Sequence, residues 1–280
     1  MKTSVVLLLT SILLLAACQP AAPKQQFSKG SEVAFYDFTE PGSFEEGTYE
    51  DGSVQLEIRD GRFNMSLSEG DSVLWYAQWG ATLGDVVIDV ETNQLTDSGN
   101  TVYGVMCRTR GTVGQEVAQG GLDAADLAQA SAESTPEADA TAEADATPEA
   151  DATAEATPEV TFLEGASNTS SALNVNNGDG YLFLVEGSGR FAIMRSIGRN
   201  VTPLVDWTSS GAIRTGAASN RLRAVCLGSY LALYINDQFV GDATDDRYIE
   251  GQVGFVAAAA TRSGVQVQFD NLSVSTASAG

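Results

Sequence analysis

A chain of 280 residues with 43% hydrophobic content can bury one large β domain or two smaller ones, which excludes global disorder. Its formal net charge of -22 argues against nucleic acid and anionic membrane surfaces as partners and says little about neutral sugars. There is no histidine, and every basic residue after Lys29 is arginine, so a Ser-His-Asp triad, histidine metal ligands and lysine nucleophiles are excluded from the folded region. Any catalysis would rest on carboxylates, hydroxyls, tyrosine or a bound metal.

The N-terminus reads as an address. Met1-Lys2-Thr3 is a short basic start, and Val5–Leu15 is an apolar run the length of a signal-peptide core, short for a bilayer span. The run ends in Leu15-Ala16-Ala17-Cys18, which resembles the bacterial lipobox. That resemblance implies removal of residues 1–17, lipidation of Cys18 and a membrane-anchored, extracytoplasmic location. An ordinary secretory signal followed by an incidental cysteine is the alternative. Residues 18–30, polar and proline-bearing, read as a tether, with a single β domain expected over 31–276.

Strands follow in order. Val33–Phe38 opens the domain. Val54–Arg59 and Arg62–Leu67 form an expected hairpin about Asp60-Gly61, a strong turn dipeptide. Val73–Trp79, Asp85–Glu91 and Val102–Thr109 are three more strands, with no convincing amphipathic helix between them. From residue 112 to 161 the pattern breaks into Ala, Glu, Asp, Thr and Pro, with six-residue units beginning at Asp139, Asp145 and Asp151. Between Asp123 and Glu159 stand eleven acidic residues and no basic one, half the net charge. Lacking apolar residues, this stretch cannot offset its ordering entropy and is expected to be a disordered insertion in a loop of the domain.

Strands resume at Tyr181–Glu186 and Arg190–Ser196, with a short one at Leu204–Trp207. In Asn220–Val240 two strands meet at Gly228-Ser229. Leu222, Ala224 and Cys226 alternate with arginine and valine, and Leu231, Leu233 and Ile235 alternate with tyrosine and alanine. Asn236-Asp237 supplies a further turn, both types tolerating left-handed backbone angles. Gly251–Ala260 and Val265–Val274 complete about a dozen strands, the spacing of an all-β sandwich or barrel.

The ordered series Tyr103–Arg108, Tyr181–Arg195, Leu204–Ile213, Asn220–Asp237, Gly251–Ala257 and Val267–Val274 resembles the 3-keto-disaccharide hydrolase-like domain of the concanavalin-like lectin/glucanase superfamily. The resemblance implies a jelly-roll β-sandwich and either carbohydrate binding or glycoside hydrolysis. It also leaves room for a cell-envelope scaffolding module with a protein partner.

Jelly-roll glucanases carry Glu-x-Asp-x-Glu on one strand, alternation placing all three carboxylates on one face. Here Asp89 and Glu91 match the later positions, but Val87 replaces the first glutamate; Asp85, one step further out, is the substitute candidate. Solvent-facing carboxylates without catalytic role are the alternative. Trp75, Trp79 and Trp207 are candidates for stacking on sugar faces and Arg108 for hydrogen-bonding hydroxyls; the alternative is that the tryptophans are core. Cys107 and Cys226, on central strands with core parity, suit a disulfide in an exported protein, or else two buried thiols. No cofactor is implied beyond a structural calcium, for which Asp37 and Asp270 are the candidate ligands by analogy with related jelly rolls.

Overall fold

The computed structural model describes residues 22–41, 44, 46–49, 52–68, 75–110, 179–197, 200–259 and 264–280. The lipobox-like segment and the acidic repeat therefore lie outside the described residues. Among the described residues, fifteen strands form two antiparallel sheets. In chain order they are β1 (Phe27–Tyr36), β2 (Gly47–Tyr49), β3 (Val54–Arg59), β4 (Arg62–Leu67) and β5 (Trp75–Leu83). Then come β6 (Val86–Gln94), β7 (Thr101–Arg110), β8 (Asp179–Glu186), β9 (Arg190–Ile197) and β10 (Asn200–Ser209). The last are β11 (Ser219–Leu227), β12 (Tyr230–Ile235), β13 (Gln238–Thr244), β14 (Gly251–Ala259) and β15 (Val265–Ala279).

The nine-stranded sheet runs β13-β12-β11-β6-β15-β4-β3-β2, with β1 also paired to β15. The six-stranded sheet runs β10-β9-β8-β7-β14-β5. Alternation decides which side chains meet between them. Val86, Ile88 and Val90 of β6 and Leu222, Ala224 and Cys226 of β11 face inward, opposite Tyr103, Val105, Phe183, Ile193 and Phe255. Phe255 stacks on Phe269 across the sheets with ring centroids 4.1 Å apart. Cys107 of β7 is bonded to Cys226 of β11, tying one sheet to the other across 119 residues of chain.

Strand β8 is buried along its whole length, because the outer face of the six-stranded sheet carries a second apolar cluster that includes Met106, Leu182, Leu184, Met194 and Trp207. A continuous apolar run such as Tyr181-Leu182-Phe183-Leu184-Val185 is the sequence form of that two-sided burial. The hairpin turns at Asp60-Gly61 and Asn236-Asp237 place both central residues at φ between 51° and 69°, the mirror-image turn that follows strand twist.

Four elements differ from expectation. Strand β1 begins at Phe27 rather than Val33, so part of the expected tether is in the sheet, Phe27 pairing with Ala279. Strand β10 begins at Asn200 and contains Pro203, which an edge strand tolerates. Strands β2 and β13 had no clear signal: one is three residues long and the other lies half-exposed at a sheet edge.

Candidate functional site

The outer face of the nine-stranded sheet is built in rows, because side chains of one parity on neighbouring antiparallel strands stand directly opposite one another. The first row crosses β4, β15, β6 and β11 through the register pairs Asn64–Gln268, Gln268–Asn93 and Asn93–Ser219. Its side chains form a directed relay. The Ser219 hydroxyl donates to Asn93 Oδ1 (3.0 Å), Asn93 Nδ2 to Gln268 Oε1 (3.1 Å) and Gln268 Nε2 to Asn64 Oδ1 (2.9 Å). Asn64 Nδ2 closes the relay on the carbonyl of Arg62 (3.0 Å). Each amide is thereby fixed in orientation, and among the described residues Asn93 and Gln268 each keep one amide hydrogen uncommitted.

The second row places Glu91 between Asp270 and Arg221. Two carboxylates directly opposite repel, so cations are needed nearby. Arg62 stands 3.7 Å from Asp270, and Arg221 stands 3.5 Å from Asp237 and 3.7 Å from Asp89. The Asn271 amide donates to Glu91 at 3.3 Å. The third row places Asp89 between Ser273 and Arg223. Here the contacts are tight: Lys29 Nζ lies 2.8 Å from one Asp89 oxygen and Arg223 Nε 2.7 Å from the other, with only 6% of the Asp89 side chain exposed.

The first two rows and the Asn236-Asp237 turn surround an open depression of about 390 Å³. Arg62, Arg214 and Arg221 balance Glu91, Asp237 and Asp270 around it, a locally neutral site on a strongly acidic protein. Amides held by a relay, arginines at long ion-pair distance and carboxylates on a shared floor present donors and acceptors at fixed positions, as a polyhydroxylated ligand requires.

The expected site residues are placed as follows. Of the carboxylates singled out on β6 and just before it, only Glu91 faces the depression. Asp89 is consumed by its cations, and Asp85 accepts from Arg108 Nη2 (2.9 Å) and from the amide of Gly228 (2.8 Å). They do not converge. Arg108, expected to meet sugar hydroxyls, is instead a structural residue, 1% exposed and with nothing to offer a ligand. Its Nη1 donates to the carbonyls of Gly228 (2.6 Å) and Tyr248 (2.8 Å), and burial pushes its pKa below the ordinary arginine value against the pull of Asp85. The residue sits at a bulge with φ 54°, and the backbone of Gly251 lies so close that a Cβ there would meet the Arg108 carbonyl carbon at 2.4 Å.

Trp207 is likewise not a stacking platform, being 6% exposed within the outer apolar cluster of the six-stranded sheet under the Arg190 guanidinium. Trp75 and Trp79 pair with Ala257 and Val253 in β14, but their side chains lie outside the described residues. The calcium candidates are turned elsewhere. Asp37 accepts from the amide and hydroxyl of Thr39, which hold its carboxyl below its ordinary value. Asp270 accepts from the amide of Asn271 (2.7 Å). Among the described residues no group of three acidic, cysteine or histidine side chains stands together as a metal site. What the sequence reading missed is the relay itself. Its signal was parity, since Asn93 follows Glu91 by two residues, just past the expected end of that strand, and Gln268 precedes Asp270 by two.

No family model matches the sequence, and no curated protein matches it. Solved structures do match. A Bacillus subtilis protein described as having a galectin-like fold is 11% identical, the match covering 91% of this chain and 100% of that one, with a TM-score of 0.51. The β-glucanase of Bacillus licheniformis is 8% identical, over 89% of this chain and 99% of that one, with a TM-score of 0.50. The fold is a concanavalin-like jelly roll. A carbohydrate binding module of Bacillus subtilis, CBM66, also aligns, at 11% identity over 92% of this chain and 100% of that one with a TM-score of 0.46. At such identities the likeness establishes the fold, and function has to be argued from the site.

Proposed function

We propose that this protein is a lipid-anchored, extracytoplasmic module that binds a glycan in the depression on the outer face of its nine-stranded sheet. The observation that carries the reading is the Ser219–Asn93–Gln268–Asn64 relay, which orients amides at the floor of an open, charge-balanced site. Sugar hydroxyls both donate and accept, and fixed amides beside arginines and carboxylates match them. The shared fold supports the reading to the extent that one of its bearers is a β-glucanase. The lipobox-like Leu15–Cys18 supports the address.

Hydrolysis, as in the 3-keto-disaccharide hydrolase-like family, is the second reading. One observation favours it: Glu91 and Asp270 stand opposite one another on the floor of the depression, and a glycosidase needs two carboxylates flanking the scissile bond.

Both readings are tested with the full chain on a panel of soluble and insoluble polysaccharides, scoring retention and new reducing ends together. Retention without products, weakened at least tenfold by Asn93→Ala or Gln268→Ala, is the expected result. Products that vanish in Glu91→Gln and Asp270→Asn would make the protein an enzyme. Retention unaffected by the amide variants would refute the site, and no retention of any glycan would turn the search to a protein partner.

A further inference from the structure

Two of the chain's three lysines, Lys24 and Lys29, lie in the N-terminal stretch, and each is bound to a carboxylate on the outer face of the nine-stranded sheet. Lys24 grips Asp242 of β13 twice, through its backbone amide (2.7 Å) and its ammonium (2.9 Å). Between them Gln26 accepts from the amide of Gly280 (3.1 Å), and Phe27 sets its ring edge-on to Tyr234 at 5.9 Å. The stretch from Lys24 to Phe27 thus crosses from β15 to β13 over an apolar patch formed by Val87, Val225, Tyr230 and Ala232.

We infer that this stretch is a clamp rather than a free tether, and that it stands the anchored domain on one end, with the polar depression presented away from the lipid surface. The inference rests on the reading of Cys18 as the lipid-bearing residue. Six residue steps separate Cys18 from Lys24, so the clamped edge lies within roughly 20 Å of the acyl chains.

Register fixes which end that is. Phe27 pairs with Ala279, and the amide of Ala277 donates to the carbonyl of Asp85. The Gly228-Ser229 turn joins this end through the Asp245 amide, which donates to the Ser229 carbonyl. Ile249, in the same loop as Asp245, is 71% exposed and gives the end an apolar point. The depression belongs to the other end, where β6 reaches Asn93, β11 begins at Ser219 and β12 turns at Asn236-Asp237. Along β6 the seven steps from Val86 to Asn93 put roughly 24 Å between the two ends.

The test uses the full chain, expressed in a bacterial host, purified with its lipid and placed in phosphatidylcholine vesicles that carry a headgroup quencher. A fluorophore is attached at Ser229→Cys in one sample and at Gln238→Cys, beside the depression, in another; intact mass reports whether Cys18 is acylated. The expected result is several-fold stronger quenching at position 229 than at 238, with the difference collapsing in Asp242→Ala, which releases the clamp. Equal quenching of the two probes on an acylated protein overturns the inference while leaving the anchor reading intact. A mass without acyl chains overturns the anchor reading and the orientation together.

Discussion

The Arg223 guanidinium donates to the Asp89 carboxylate at 2.7 Å across the β6–β11 pair, while Lys29 holds the other oxygen at 2.8 Å. This ion cluster around the buried Asp89 carboxylate explains why one of the two acidic residues of β6 that match a glucanase strand is unavailable for chemistry. Removing its charge would take the near carboxylate from Lys29 and leave Arg223 with Asp237 alone, at 3.5 Å. Asp89→Asn is expected to cost about 1–3 kcal/mol in urea unfolding, between the values of exposed and buried pairs, and to leave glycan retention by the folded fraction unchanged. Loss of retention at unchanged stability would return Asp89 to the binding machinery.

Arg108 should behave in the same way for a different reason. Its guanidinium donates to the carbonyls of Gly84, Gly228 and Tyr248 and to the carboxylate of Asp85, so Arg108→Met takes a donor from three carbonyls, while Asp85 keeps the Gly228 amide. A loss of about 3 kcal/mol in stability is expected, with no change in ligand affinity. A full-stability variant that fails to bind would contradict this placement.

The inter-sheet disulfide makes a third prediction. Cys107→Ser with Cys226→Ser, or reduction under denaturing conditions followed by refolding, should lower unfolding free energy by about 2–4 kcal/mol, read as a shift in urea midpoint with and without reductant. Identical midpoints would mean that the bond adds nothing to stability.

Acidification has a defined sign. Burial pushes the carboxyls of Asp242 and Asp245 up, but hydrogen bonds and cations outweigh it: Lys24 and Tyr230 at the first, Tyr181, Arg247 and Arg195 at the second. Both are held below the ordinary aspartate value. Groups lowered in this way stabilise the fold fully above the unfolded value of about 4, and the contribution drains away as pH falls through the folded value. With no histidine to titrate, stability should be flat from pH 7 to 5 and fall only below about pH 4. Proteolytic susceptibility near Lys24 should rise over the same low-pH range as the clamp lets go. A stability change between pH 7 and 5 would contradict this account.

Much of the fold was legible because alternation is a direct imprint of one-sided burial. Leu222, Ala224 and Cys226 declared the inner face of β11, and Asp60-Gly61 and Asn236-Asp237 declared their turns. Strands β1 and β13 were poorly legible because sheet edges expose both polar and apolar side chains, so periodicity fades. The site was harder still. Arg108 and Trp207 have residue types that often meet ligands, yet both are buried, and nothing local in sequence distinguishes a structural arginine from a binding one. The amide relay joins β4, β15, β6 and β11, whose order in space follows from topology and not from chain order.

The placement of lysine carries a practical corollary. After Cys18 the chain offers only Lys24 and Lys29, and the Lys24 side chain is 72% exposed. Beyond Cys18 a lysine-specific protease therefore has two cleavage points, both near the N-terminal edge of the sandwich, and a cut at the first would separate the sandwich from whatever precedes it.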